Sequence, residues 1–271
     1  MTPLARDHPP PLTPAVPTDA VRVTVRRVLA AEWIKARSSR STWWLLAGSA
    51  ASIIAAGVSP AVTLVLANDA SSAAATDPAG GALDGVSFTQ LLLASLGVTI
   101  VSAEYGTGLI RATLTAVPAR LPVLLAKAMV VAVVTFVATS VAVLAAFVVA
   151  QTVLASADVS ISLAAPGVPR AVIGSALFLT VTAVLGTAFG WLVRSTAGAL
   201  AAVFGFLLVL PVLGSAVPAI SPYLPSDAAA AILEISSEAG GFAPWVGFGL
   251  SVVYPAVVLA AAAMLRRRRD A

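Results

Sequence analysis

The chain has 271 residues, of which 59% are hydrophobic and only 10% are charged. Because soluble proteins carry roughly 25% charged residues, this chain cannot cover a water-facing surface, and its composition indicates a membrane protein. Cysteine is absent, which excludes disulfide frameworks, thiolate metal sites and cysteine nucleophiles.

Residues 1–20 are rich in proline and contain His8, the only histidine of the chain. This composition predicts a disordered N-terminal tail. No charged segment followed by an early apolar core is present, so a cleaved signal peptide is not expected. The rest divides into a lead-in segment at 21–41, a membrane domain at 42–265 and a basic tail at 266–271.

The lead-in segment has the spacing of an amphipathic cytoplasmic helix. Its apolar arc, interrupted by Arg22 and Glu32, consists of Val21, Val25, Val28, Leu29, Trp33 and Ala36. An apolar arc on a basic helix suits the membrane interface. The residues expected to anchor the helix there are Trp33, Lys35, Arg37, Trp43 and Trp44. The alternative is a charged segment that only sets the orientation of the first span.

Six apolar stretches meet or approach the roughly 20 residues that a helix needs to cross a bilayer core of about 30 Å. They are 42–67, 86–103, 128–150, 171–193, 198–220 and 242–265, and none contains Asp, Glu, Lys, Arg or His. The fourth and fifth are separated by only "RSTA", which predicts a tight helical hairpin. The predicted fold is therefore all-α, a polytopic membrane protein with six transmembrane helices.

The basic residues predict the orientation of these spans. If the spans alternate in direction, fifteen of the 16 Lys and Arg residues fall on one side, and the other side keeps only Arg170. The positive-inside rule then makes both termini cytoplasmic, in a multi-pass protein of the cell (plasma) membrane. The net charge of +4 reflects this topology and attraction to membrane lipid of the anionic inner leaflet. A nucleic-acid partner is not required.

Several functional motifs are missing from the sequence. Neither Lys35 nor Lys127 follows a glycine, so there is no P-loop, and H-E-x-x-H and G-x-S-x-G motifs are also absent. We therefore assign no catalytic residue, metal site or cofactor and do not expect an enzyme. Coupled carriers and charged-ring channels place ionisable groups in their spans. If this protein transports a substrate, the energy is expected to come from another subunit.

The connection between the second and third spans reads "SAEYGTGLIRATLTAVPARLPVLLAK" from residue 102 to 127. Gly106 and Gly108 allow a sharp change of direction. Residues 109–116 have helical spacing, and Pro118 ends that pattern because it restricts the residue before it. The sequence predicts a short helix across the cytoplasmic mouth. It is followed by a helix whose first turn accepts Pro122 and which leads into the third span.

This segment resembles the one between the second and third spans of ABC-2-type transporter permeases. Those proteins carry an acidic-aromatic-x-x-Gly pattern, a following Arg with a Thr/Leu pair, then Pro-x-Arg and a Lys that leads into the third span. The earlier stretch "LAAEWIKARSSRSTWW" at 29–44 is similar to the family's opening segment, and the terminal "RRRRDA" also fits. The resemblance covers residues 21–269.

The resemblance implies a membrane subunit that a separate ATP-binding-cassette ATPase drives. The short helix would be a coupling helix seated on the ATPase, with Arg120 and Lys127 flanking it and Lys127 extending to the interface. The residues implied to shape the contact are Glu104, Tyr105, Gly106, Thr107, Gly108 and Arg111. Gly106 departs from the pattern, because many relatives have a basic residue there.

We therefore expect the transmembrane permease subunit of an ATP-driven ABC-2-type export system. It would form the substrate path with a second permease subunit, as a homo- or heterodimer. The alternative is a non-transporting six-span protein that keeps the fold as an anchor, immunity or signalling partner. An intramembrane enzyme is disfavoured, because no nucleophile–base or metal constellation is present.

Two further patterns concern packing and the outer side. Gly186 and Gly190 form a G-x-x-x-G motif, which favours close helix approach within the chain and leaves a dimer contact as the minor alternative. In the outer segment 221–241, Ser226 is a good N-cap and Asp227 falls in the first turn. We expect a short helix there that either caps a substrate path or is a simple connector.

Overall fold

A computed structural model describes residues 24–67, 85–106, 108, 120–217, 219–233 and 242–269. Within these residues all regular elements are helical, which confirms the predicted all-α fold. The α-helices are α1 (Val25–Ser38), α2 (Arg40–Ala67), α3 (Gly85–Gly106), α4 (Arg120–Ala155), α5 (Val168–Val193), α6 (Thr196–Phe204), α7 (Leu210–Ser215), α8 (Pro225–Leu233) and α9 (Pro244–Arg269).

Among the described residues, six helical segments are long and apolar enough to cross a membrane, as predicted. They are Arg40–Leu66, Phe88–Gly106, Leu121–Ala155, Val168–Val193, Thr196–Gly214 and Pro244–Leu265. The chain thus has the architecture of a multi-pass membrane protein. The second span extends beyond its predicted end at 103 and the third begins before its predicted start at 128. These extensions place Glu104 and Lys127 inside helices. For Lys127 this agrees with the helix predicted to begin near Pro122, whereas Glu104 was predicted to lie where the chain leaves the membrane.

The lead-in helix α1 packs mainly on α4. Its buried residues are Val28, Glu32 and Ala36, which are spaced four apart and therefore share one face. Val25 and Trp33, which the sequence placed on the same apolar arc, are exposed. The predicted single arc is therefore wrong, because Glu32 lies at the centre of the buried face rather than interrupting it.

Helices α3 and α5 approach each other most closely at three glycines. A Cβ added to Gly97 would lie 2.0 Å from the Ala183 carbonyl oxygen, and one added to Gly186 would lie 2.1 Å from that of Ala94. Gly190 also packs against α3. The G-x-x-x-G motif therefore serves packing within the chain, as its favoured interpretation predicted.

The fourth and fifth spans are joined by the expected tight hairpin. Arg194 ends α5 in a left-handed conformation with a φ of 62°, and its amide donates to the Gly190 carbonyl at 3.3 Å. Ser195 then caps α6, its hydroxyl accepting from the Gly198 amide at 3.3 Å. The two caps reverse the chain direction within a few residues.

The fifth span is not one regular helix. A π-helical turn, Gly205–Val209, separates α6 from α7, and the Leu210 amide donates to the Gly205 carbonyl. Pro211 follows and has no amide proton to donate to the carbonyl four residues earlier. The wider turn accommodates this missing donor inside a membrane-length helix.

Helix α8, in the outer segment, begins at Pro225 rather than at Ser226 and carries Asp227 in its first turn. The Asp227 carboxylate accepts a hydrogen bond from the Ser221 hydroxyl at 2.5 Å. The helix packs on α5 and α9, where Gly174 and Gly247 admit its backbone. Its predicted end at residues 240 and 241 lies outside the described residues.

Candidate functional site: a buried ion-pair cluster

Four charged side chains from three helices meet at one end of the bundle, and we call them the ion-pair cluster. Glu32 and Lys35 lie on α1, Glu104 lies near the end of α3 and Lys127 lies near the start of α4. Lys35 Nζ donates to Glu32 Oε1 at 2.7 Å and to Glu104 Oε1 at 2.9 Å. Lys127 Nζ donates to Glu104 Oε1 at 2.9 Å and also to Glu32 Oε2.

Three of the four side chains are almost fully buried. The exposed fractions are 3% for Glu32, 6% for Glu104 and 2% for Lys127, whereas Lys35 is 28% exposed. Isolated buried charges are prohibitively costly, so burial requires pairing. Two lysines and two glutamates give a net charge of zero, which lets these groups reside in an apolar bundle. Lys35 is the member that water can reach.

The pKa of Lys35, on α1 outside the spans, is raised above its ordinary value. Burial alone would lower this pKa, but hydrogen bonds to Glu32 and Glu104 and the negative charges of the same carboxylates outweigh burial. Lys35 is therefore held in its charged form at neutral pH. The electrostatic link between α1 and α3 is present under physiological conditions.

An apolar layer adjoins the cluster and joins further helix ends to it. Val28 of α1, Val123 of α4, Trp191 of α5 and Ala262 of α9 belong to one buried group. Tyr105 of α3 packs edge-on against Trp191, with ring centroids 6.4 Å apart and an interplanar angle of 84°. Five helices therefore meet at this end of the bundle, so a displacement of one is opposed by contacts with the others.

The predicted coupling residues have different environments in the structure. Glu104 lies in the ion-pair cluster and Tyr105 lies against Trp191, so both contact their own bundle. Gly106 ends α3, and Gly108 has a φ of 71°, a left-handed conformation that favours glycine. Thr107 and Arg111, and with them the predicted short helix at 109–116, lie outside the described residues.

The predicted interfacial residues form a partly exposed aromatic and basic surface. Trp33, Trp43 and Trp44 are 47%, 56% and 79% exposed. The Trp43 indole nitrogen donates to the Arg37 carbonyl oxygen at 2.9 Å, which joins the end of α1 to the start of α2. Lys35 differs from the other predicted anchors, because it belongs to the ion-pair cluster.

Sequence reasoning missed the two members of the cluster that are buried most deeply. Lys127 was expected to extend to the interface, which is wrong, because it points into the bundle and contacts both glutamates. Glu32 was treated as an interruption of an apolar arc. One signal could have found them: an ionisable residue among apolar helical neighbours requires a partner of opposite charge.

A cavity of about 290 Å³ lies beside the cluster. Its walls include all four charged residues, the Ser38–Thr42 region between α1 and α2, and Thr99 to Ala103 of α3. Charged, hydroxyl and apolar groups thus line one small space next to the ends of four helices, α1, α2, α3 and α4. The arrangement can hold a small polar group without exposing the apolar bundle.

Comparison of the sequence with protein-family models and with curated proteins gave no match. The described residues define the class, a multi-pass membrane protein with six membrane-length helices and an ion-pair cluster at one end.

Proposed function

We propose that this chain is the membrane subunit of an ATP-driven ABC-2-type export system, powered by a separate ATPase docked on the 104–122 segment. In this proposal the basic end of the bundle faces the cytoplasm and a second permease subunit completes the substrate path. The observation that carries the proposal is the position of the ion-pair cluster. Glu104 and Lys127 bracket the connection between the second and third spans and are bonded to each other.

Because Glu104 and Lys127 lie at the two ends of the connection, a force applied to the connection would be transmitted to the membrane domain. Glu104 is continuous with α3 and Lys127 with α4, so movement of the connection displaces both spans at their ends. Both residues also bond to Glu32 or Lys35, so α1 is displaced with them. Because packed interiors are dense and resist deformation, this end of the bundle is expected to move as a rigid body.

The path itself is assigned to the space between two copies. The predicted span cores contain no Asp, Glu, Lys, Arg or His, and the buried hydroxyls of Ser175, Thr182 and Thr187 bond to carbonyls of their own helix. These groups are satisfied internally, which suits helix packing more than contact with a moving polar substrate. In this proposal the substrate path is lined by two subunits rather than by one bundle.

To test the proposal, the tagged chain is extracted from its native membrane in detergent and purified together with the subunits that stay bound to it. We expect an ATP-binding-cassette ATPase to co-purify in a fixed ratio and to hydrolyse ATP. Arg111→Glu, in the connection, is expected to reduce the bound ATPase at least tenfold. Arg26→Glu makes the same charge change on an exposed residue of α1, and this variant is expected to retain the bound ATPase.

Two results would count against the proposal. One is a stable complex that contains no ATPase, which favours the non-transporting alternative. The other is equal retention of the ATPase by wild type and Arg111→Glu, which removes the connection as the docking element. Equal melting temperatures of the two variants establish that any loss reflects docking rather than unfolding.

A further inference from the structure

The cavity beside the ion-pair cluster contains hydrogen-bonding groups that the described residues leave unsatisfied. Glu104 Oε1 accepts from both lysines, but Glu104 Oε2 is buried and has no hydrogen-bond partner among the described residues. Thr42 is 4% exposed, and its hydroxyl likewise has no hydrogen-bond partner among the described residues. Both residues line the cavity. A buried carboxylate oxygen without a donor is costly, so a donor is expected beside it.

The charge of the cluster restricts what that donor can be. The four members sum to zero, so a metal cation or a simple amine would leave an uncompensated positive charge in a largely apolar site. A simple anion would meet two carboxylates. A zwitterion, with an ammonium and a phosphate on neighbouring atoms, preserves neutrality and satisfies groups of both kinds.

Further residues that line the cavity suit the phosphate. The N-terminus of the 28-residue helix α2 lies there, with Ser39, Ser41 and Thr42 around it. A helix N-terminus presents backbone amides and a partial positive charge to an anion. Lys35, which also lines the cavity, is partly exposed and can approach the phosphate while keeping its bonds to the cluster.

The place of the cavity in the molecule suits a lipid. Trp43 and Trp44 are exposed beside it at the start of the first span, and such aromatic side chains mark the headgroup level of a bilayer. Its volume of about 290 Å³ is at the small end of ligand pockets, which begin at roughly 300 Å³. The space fits a headgroup, and the acyl chains would lie along the apolar spans.

We propose that this cavity binds the headgroup of a phospholipid whose primary ammonium lies next to its phosphate, as in phosphatidylethanolamine. The ammonium donates to Glu104 and Thr42, and the phosphate lies at the start of α2. This site requires no ATPase partner and is independent of the proposed transport function.

The test compares two zwitterionic lipids of equal charge, of which only one has an ammonium that can donate a hydrogen bond. The purified chain is incubated with equimolar phosphatidylethanolamine and phosphatidylcholine of identical acyl chains, and bound lipid is measured by native mass spectrometry. Choline carries the same charge but has no N–H. Because a hydrogen bond to a charged group contributes at least about 1.5 kcal/mol, we expect roughly tenfold preference for phosphatidylethanolamine.

Three variants locate the preference. Thr42→Val removes one hydroxyl at constant shape and is expected to lower the preference for phosphatidylethanolamine several-fold. Glu104→Gln is expected to bring the ratio of bound phosphatidylethanolamine to bound phosphatidylcholine close to one. Thr63→Val is the matched control, because Thr63 is exposed near the other end of α2 and bonds to the Pro60 carbonyl. It should bind like wild type.

Equal binding of the two lipids by wild type would overturn the proposal, and so would a preference that Thr42→Val and Glu104→Gln leave unchanged. A separate arm adds soluble phosphoethanolamine. Failure to displace the lipid supports a membrane-derived ligand, whereas efficient displacement supports the same chemistry with a free phosphoamine as the source. None of these outcomes bears on ATPase docking.

Discussion

Glu104 and Lys127 lie 23 positions apart in the chain, yet their side chains form a buried hydrogen bond of 2.9 Å. The bond closes the base of the connection between the second and third spans. Because Glu32 and Lys35 bond to the same pair, the lead-in helix is attached at this point as well. The connection on which we propose that an ATPase docks therefore emerges from a fixed base in three helices.

Removing Lys127 is expected to destabilise the bundle strongly. Lys127→Met keeps the volume but leaves two buried carboxylates with one lysine, and breaking a buried ion pair costs about 3–5 kcal/mol. Adding Glu32→Gln restores a neutral cluster, since Lys35 and Glu104 remain paired. The double variant should therefore unfold at a higher temperature than Lys127→Met alone, measured by intrinsic fluorescence in detergent. Additive losses in the double variant would show that the charges do not act as one cluster.

The raised pKa of Lys35 predicts a stability change at high pH. A group whose pKa is higher in the folded protein contributes its stabilisation fully below its unfolded pKa, about 10.4 for lysine. The contribution is lost as the pH rises through the higher folded value. The melting-temperature difference between wild type and Lys35→Met should therefore be constant from about pH 7 to about pH 9 and should narrow above about pH 11. A difference that does not narrow would mean that charged Lys35 does not stabilise the fold.

The glycines between α3 and α5 predict a second stability difference. Gly186→Ala places a Cβ 2.1 Å from the Ala94 carbonyl oxygen, so the helices must separate, and overpacking of this kind costs about 1–3 kcal/mol. Gly48→Ala is the matched control in α2, because nothing lies within 4 Å of its added Cβ. Thermal unfolding should show a loss only for Gly186→Ala. Equal stability of the two variants would contradict the close approach of α3 and α5.

The elements that depend on local patterns could be predicted from the sequence. The six apolar stretches predicted the six membrane-length helices, and "RSTA" predicted the hairpin between the fourth and fifth spans. The G-x-x-x-G motif predicted close helix packing within the chain. Each of these follows from hydropathy or from residues close in sequence, which physical rules relate directly to helices and turns.

The ion-pair cluster could not be predicted in the same way. Glu32 and Lys127 are 95 positions apart, and burial of either charge is unfavourable when only its own apolar neighbours are considered. Their burial is understandable only when three helices bring opposite charges together. The same dependence on tertiary contacts explains why the second and third spans extend beyond the uncharged windows.

The orientation of the bundle gives the last prediction, and the absence of natural cysteine makes the test direct. Ser156, after α4, and Thr196, at the start of α6, are both exposed and lie at opposite ends of α5 and its connections. If the basic side is cytoplasmic, a membrane-impermeant maleimide should label Ser156→Cys in intact cells. It should label Thr196→Cys only after the membrane is opened. The reverse pattern would place the ion-pair cluster outside the cell and would exclude a cytoplasmic ATPase from the 104–122 segment.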